Sequence, residues 1–160
     1  MLQVRLRPLT REDRSMVTSF IQDQWGSTRV VSKGRMFDPS ELEGFAAVAD
    51  EKVVGLVTFR VERDECEVVT INSLSKGRGT GSSLLNAVRD AASKARCKRL
   101  WLITTNDNLS ALRFYQKWGL HIIAVYPNAL EKSRRLKPEI PILGKEGIPL
   151  RDEIELEIIL

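Results

Sequence analysis

The stretch Ser75-Lys76-Gly77-Arg78-Gly79-Thr80-Gly81-Ser82-Ser83 joins an apolar run, Cys66 to Leu74, to an amphipathic one that begins at Leu84. Glycines at 77, 79 and 81 remove the side chains that would hold a ligand off the main chain, so successive N–H groups can converge on an anion. The helix predicted to follow adds its positive end. Lys76 and Arg78 bring mobile charge that suits a pyrophosphate better than a neutral ligand. The other reading of the stretch is an ordinary turn from strand to helix. Two familiar phosphate loops are excluded. A P-loop needs Lys and Ser/Thr directly after its last glycine, and the dinucleotide fingerprint needs Gly or Ala where Ser82 stands. What is left is a basic residue, two residues, Gly, one residue, Gly: Lys76, Gly79, Gly81.

Downstream of the loop, Leu84, Leu85, Val88, Ala91, Ala92 and Ala95 form one apolar stripe opposite Arg89, Asp90, Ser93 and Lys94, which predicts a helix. Arg99 to Thr104 then reads as a buried strand. If the strands before and after this helix are neighbours, the crossover is parallel and right-handed. The loop then lies at the carboxyl end of a strand, where open α/β sheets bind ligands. Further on, Asn108 is placed to cap a helix carrying Leu109, Ala111, Leu112, Phe114, Tyr115 and Trp118 and closed by Gly119. Leu120 to Val125 predicts a strand and Ala129 to Leu136 a short helix. At the end, Glu153, Glu155 and Glu157 alternate with Ile154, Leu156 and Ile158, a half-buried strand with its glutamates toward solvent.

Upstream, Gln3 to Leu9 alternates as a strand, and Met16, Val17, Phe20 and Ile21 have helical spacing up to Gly26. Phe45 to Ala49 and Val53 to Val61 flank Asp50-Glu51-Lys52 as a hairpin. The second arm, apolar on both faces, reads as an inner strand. Gly26 to Gly44 shows no clean period. So long an irregular segment is usually functional, which makes it a candidate substrate wall through Trp25, Arg29, Arg35 and Phe37.

A chain of 160 residues predicts one domain, 1–160, able to bury a core without disulfides or metal. Cys66 and Cys97 have no paired spacing and read as reduced thiols of a cytoplasmic protein. With one His and two separated Cys, no metal cluster is legible. The start carries charge where a signal peptide needs an apolar core, and no apolar run is long enough to cross a membrane. The net charge of +4 is spread along the chain. Its basic clusters lack interleaved aromatics, so nucleic acid is not an expected partner.

Two blocks together resemble the GNAT superfamily of N-acetyltransferases: the loop with Lys76, Gly79 and Gly81, and Asn108, Ala111, Phe114, Tyr115 and Gly119 in the pattern Asn-x-x-Ala-x-x-Phe-Tyr-x-x-x-Gly. The likeness is best from Glu65 to Leu120. Lys76 departs from the usual Arg or Gln, and Ser73 stands where many relatives carry Pro; Lys keeps the charge but loses the planar fork. The resemblance implies an α/β fold with a mixed, mostly antiparallel sheet of about six or seven strands, a splay between the fourth and fifth, and about four flanking helices.

It also implies that acetyl-CoA, as co-substrate and without metal, lies between the strands Glu67 to Leu74 and Leu100 to Thr104. Its pyrophosphate would meet the amides of Gly77, Arg78, Gly79, Thr80, Gly81 and Ser82 beside Lys76. Its pantetheine would meet the backbone of Ile71, Asn72 and Ser73, with Asn108, Ala111 and Phe114 nearby. Tyr115 would face the sulfur as the phenol that protonates or hydrogen-bonds the departing thiolate, and an N–H near Ile71 or Asn72 would hold the oxyanion. Glu65 and Glu67, two apart on a strand, share a face and could relay the amine's proton, directly or through water. The expected activity is acetyl transfer to a primary amine on a small molecule or peptide; the alternative is a non-catalytic acyl-CoA-binding sensor or interaction module. A homodimer is compatible with the terminal strand.

Overall fold

The computed structural model describes residues 3–74 and 77–160. In chain order the elements are β1 (Arg5–Pro8), α1 (Arg14–Trp25), β2 (Val30–Ser32), β3 (Arg35–Phe37), β4 (Glu43–Ala49), β5 (Lys52–Glu62), β6 (Glu65–Ser73), α2 (Thr80–Lys94), β7 (Arg99–Thr105), α3 (Leu109–Trp118), β8 (His121–Tyr126), α4 (Ala129–Leu136) and β9 (Glu153–Ile159). They fall into two compact units, one of Met1–Val30, Asp38–Leu100 and Leu160, the other of Val31–Phe37 and Trp101–Ile159.

In the first unit the strands run in the order β1-β4-β5-β6, each pair antiparallel. Helices cover both faces, which is why β5 is apolar on both. Leu56 packs with Val17 and Ile21 of α1 and with Ala46, and Leu9, Met16, Phe20, Val48 and Val53 close around them. The next residue along, Gly55, points the opposite way. A Cβ there would meet Thr80 Cγ2 at 3.0 Å and Leu84 Cδ1 at 3.2 Å, so glycine lets the start of α2 lie this close to β5 without displacing either side chain. Leu84, Leu85, Val88 and Ala92 are buried, as the predicted stripe requires.

In the second unit the order is β7-β9-β8, with β8 and β9 antiparallel. The segment read as irregular, Gly26 to Gly44, contains a short hairpin, β2–β3, which closes through Lys33 and Gly34 at φ 47° and 72°. Its strands are three residues long, too short for a period to show. The expectation that the β9 glutamates face solvent is overturned: Glu153 and Glu155 are 4% and 3% exposed. Alternation identifies residues that share a face and not which face is covered: Lys33 from the hairpin pairs with the charged face, and Leu156 on the other is fully buried as well.

Among the described residues no helix is long and apolar enough to cross a membrane. No group of three or more His, Cys, Asp or Glu among them is placed to hold a metal ion.

Candidate active site

In the first unit the candidate residues lie along β6 and over the turn into α2. Thr58 pairs with Thr70 and Phe59 with Val68, so Val69 is an extra residue, a β-bulge. The bulge inverts the alternation. Opposite Glu62, Arg60, Thr58 and Leu56 stand Glu65, Glu67, Thr70 and Asn72, and these four share the face on which α1 packs. Ile71 and Ser73 occupy the other face, opposite Val57 and Gly55.

Polar partners fill the α1 face. Thr58 and Thr70 hydroxyls are 2.7 Å apart, both buried. Arg60 Nε donates to Glu67 at 2.9 Å and its guanidinium also reaches Glu62. Arg99 Nε donates to Glu65 at 2.7 Å. Glu67, expected as a hairpin carboxylate, is only 2% exposed, whereas the Glu65 side chain is 44% exposed. At the far end Trp25 Nε1 donates to Asn72 Oδ1 at 2.6 Å, tying the last turn of α1 to β6.

The main chain is polarised too. Leu74 N–H donates to Val54 O, so alternate residues Asn72 and Thr70 also spend their N–H and C=O groups on β5. Those of Ile71 and Ser73 point to the other edge of the strand.

Lys76 lies outside the described residues. Gly77 and Gly79 have φ of 78° and 75°, the left-handed region, with open space where a Cβ would stand. Gly77, Arg78 and Gly79 are exposed. Gly79 is the N-cap of α2, no side chain caps the helix, and its first internal bond runs from Ser83 N–H to Gly79 O at 2.9 Å. The N–H groups of Thr80, Gly81 and Ser82 therefore have no acceptor within the helix. Thr80 is 2% exposed, and its hydroxyl has no hydrogen-bond partner. The turn thus combines free amides, a helix N-terminus and a desolvated hydroxyl, which fits an oxyanion-rich group.

In the second unit Asn108, Ala111, Phe114 and Tyr115 follow one another along α3. Asn108 is the N-cap by position, but its side chain makes no cap bond; its Oδ1 accepts from Lys145 Nζ at 3.2 Å, and its carbonyl takes the first helical bond, from Leu112 N–H. That corrects the expected side-chain cap. Ala111 and Phe114 are half-buried, and the Phe114 ring stands 5.5 Å from that of Tyr115. Tyr115 is 8% exposed, and burial raises its phenol above the ordinary value, so it stays neutral.

The family model for the GNAT family of acetyltransferases matches residues 6–120. The chain belongs to this family. It is 43% identical over 142 residues to the uncharacterized protein YdhI of Bacillus subtilis (strain 168), covering 88% of this chain and 89% of that one. Among solved structures, an IAA acetyltransferase from Bacillus cereus ATCC 14579 matches 99% of this chain and 100% of its own with a TM-score of 0.76 at 19% identity. A GNAT family acetyltransferase from Elizabethkingia anophelis, solved with acetyl-CoA bound, matches 98% of both chains with a TM-score of 0.69 at 20% identity. At such identities the structures speak for the fold. This GNAT chain has the α/β architecture expected of it, with seven strands in the main sheet and four helices among the described residues.

Sequence reasoning missed Asp107. This residue is 5% exposed and accepts Thr105 Oγ1 and the Lys145 N–H, pinning the distant Gly144–Lys145 turn to the start of α3 in this GNAT chain. A Cβ at Gly144 would lie 2.1 Å from Asp107 Oδ2, so the glycine there was the one available signal.

Proposed function

We propose that the protein is an acetyl-CoA-dependent N-acetyltransferase that passes the acetyl group directly to a primary amine. The turn from β6 into α2 carries the reading: left-handed Gly77 and Gly79, free amides from Thr80 to Ser82 and the unpartnered Thr80 hydroxyl form a cradle for the coenzyme pyrophosphate. Lys76 adds charge by its place in the sequence. The outward-facing Ile71 N–H serves the oxyanion better than that of Asn72, which is spent on β5.

In the reaction the amine lone pair attacks the thioester carbonyl, the C–N bond forms, and the C–S bond breaks with its electrons on sulfur. The proton released from nitrogen leaves toward the carboxylate face of β6, to the part-exposed Glu65 or to the buried Glu67, directly or through water. Tyr115 is assigned to the sulfur. A buried phenol held above its usual value is a weaker acid than a thiol of about 8.5, so Tyr115 stabilises the thiolate by hydrogen bonding, and the proton that finally neutralises sulfur comes from solvent or the ammonium.

The test measures coenzyme affinity and turnover on one preparation of Tyr115→Phe. Affinity stays within about twofold while kcat falls about 10- to 100-fold. Equal loss of both would assign Tyr115 to binding, and unchanged kcat would remove it from the reaction. Glu65→Gln and Glu67→Gln in the same assay identify the base through loss of the acid limb of kcat/KM against pH; retention in both assigns the proton to water. Coenzyme that binds with no turnover on any amine would mark a sensor instead.

A further inference from the structure

Lys33, at the tip of the β2–β3 hairpin, sends its ammonium into a cage in the second unit. Nζ donates to Glu155 Oε1 at 2.9 Å and lies 5.2 Å from the ring centres of both Trp101 and Tyr126. Tyr126 Oη donates to the same Glu155 oxygen at 2.7 Å, which fixes the carboxylate. The Lys33 main-chain N–H donates to Glu153 Oε2 at 3.3 Å. The strand order β7-β9-β8 puts Glu155 on the middle strand, with Trp101 and Tyr126 on the strands either side.

Walls and occupant differ in kind. Trp101 and Glu155 are 7% and 3% exposed and belong to the sheet, but the Lys33 side chain is 40% exposed and hangs from two three-residue strands. A hairpin that small has little stability of its own. Nor does its turn ask for lysine: two consecutive left-handed residues favour Asn, Asp or Gly, and Lys33 at φ 47° is strained there. The ammonium's contacts are what reward lysine at this position. Two ring faces and a desolvated carboxylate select a cation over a neutral alkyl group of the same size.

We infer that the Trp101–Tyr126–Glu155 cage is a binding site for a primary alkylammonium, which Lys33 fills from within the chain and an incoming amine displaces. Only the ligand's further fate as acetyl acceptor rests on the function proposed above; binding at the cage does not.

The experiment is chemical rescue, read as thermal midpoint and by calorimetry on the whole chain without coenzyme. Lys33→Ala removes the ammonium from buried Glu155 and from both rings, which lowers the midpoint. n-Butylammonium chloride restores that midpoint and binds Lys33→Ala about tenfold more tightly than the wild type, whereas 1-butanol does neither. Adding Glu155→Gln abolishes the rescue. Lys33→Gln, which keeps the stem without the charge, gives the same pattern if Lys33→Ala does not fold. Binding of the peptide Gly-Lys-Gly as well as butylammonium extends the site to lysyl side chains; binding of butylammonium alone confines it to small free amines. The inference is overturned if neither Lys33 variant binds butylammonium better than wild type, if butanol rescues equally, or if the gain survives Glu155→Gln. Loss of the acetyltransferase reading would show separately, as absent amine-dependent coenzyme release with the cage still binding.

Discussion

Thr80 joins the energetics of one side chain to the role of the loop. A buried hydroxyl without a partner costs about 1–3 kcal/mol, so the isosteric Thr80→Val should raise the free protein's thermal midpoint by a few degrees, about 2–4 °C per kcal/mol at this size. If the hydroxyl is held for the coenzyme, the same change shrinks the rise in midpoint that coenzyme A produces. Thermal melts with and without coenzyme check both signs, and an unchanged ligand-induced rise would make Thr80 a packing residue only. Thr80 was singled out from the sequence as part of the loop, but its burial was not legible there. That depends on Gly55, a residue on another strand.

Gly55 belongs to the scale of elements, because what it admits is a helix. With Thr80 Cγ2 at 3.0 Å and Asn72 O at 3.2 Å from the position of an added Cβ, Gly55→Ala must shift the side chains at the start of α2 by a few tenths of an ångström. The expected loss is about 1–3 kcal/mol in urea unfolding, with weaker coenzyme binding because the Thr80 side chain moves. Equal stability would mean that α2 tolerates the shift.

The other end of the first unit responds to pH. Arg7, reaching from β1, donates to both Asp13 oxygens at 2.9 and 2.8 Å and holds that carboxyl down at about 2. A depressed carboxyl contributes stability above its unfolded value of about 3.9, and this is lost as pH falls through the folded value. Urea midpoints should therefore drop between about pH 4 and pH 2, and Arg7→Gln should flatten that drop while lowering the midpoint at pH 7. An identical acid limb in the variant would show that Arg7 does not hold the proton off.

At the scale of the whole chain, what was legible in sequence is what repeats. The α2 stripe, the apolar β5 and the two glycine-bearing blocks each state a period or a spacing, and the structure places helix, inner strand, turn and a second helix there, the last without the expected side-chain cap. What was not legible depends on partners far away in sequence. The Val69 bulge is invisible because Cys66 to Leu74 reads as one unbroken strand, yet it decides that Thr70 and Asn72 join Glu65 and Glu67. The burial of Glu153 and Glu155 follows from Lys33, more than a hundred residues earlier. The Trp25–Asn72 bond likewise joins a helix end to a strand 47 residues on.

The central claim is that this GNAT chain moves an acetyl group from coenzyme to a primary amine. Free thiol and acetylated amine are to be measured together while acetyl-CoA is supplied with a panel of polyamines, amino acids, aminoglycosides and short peptides. The account predicts at least one amine for which thiol and N-acetyl product appear in equal amounts and in proportion to enzyme. Tight coenzyme binding with no amine-dependent thiol release across the panel would contradict it.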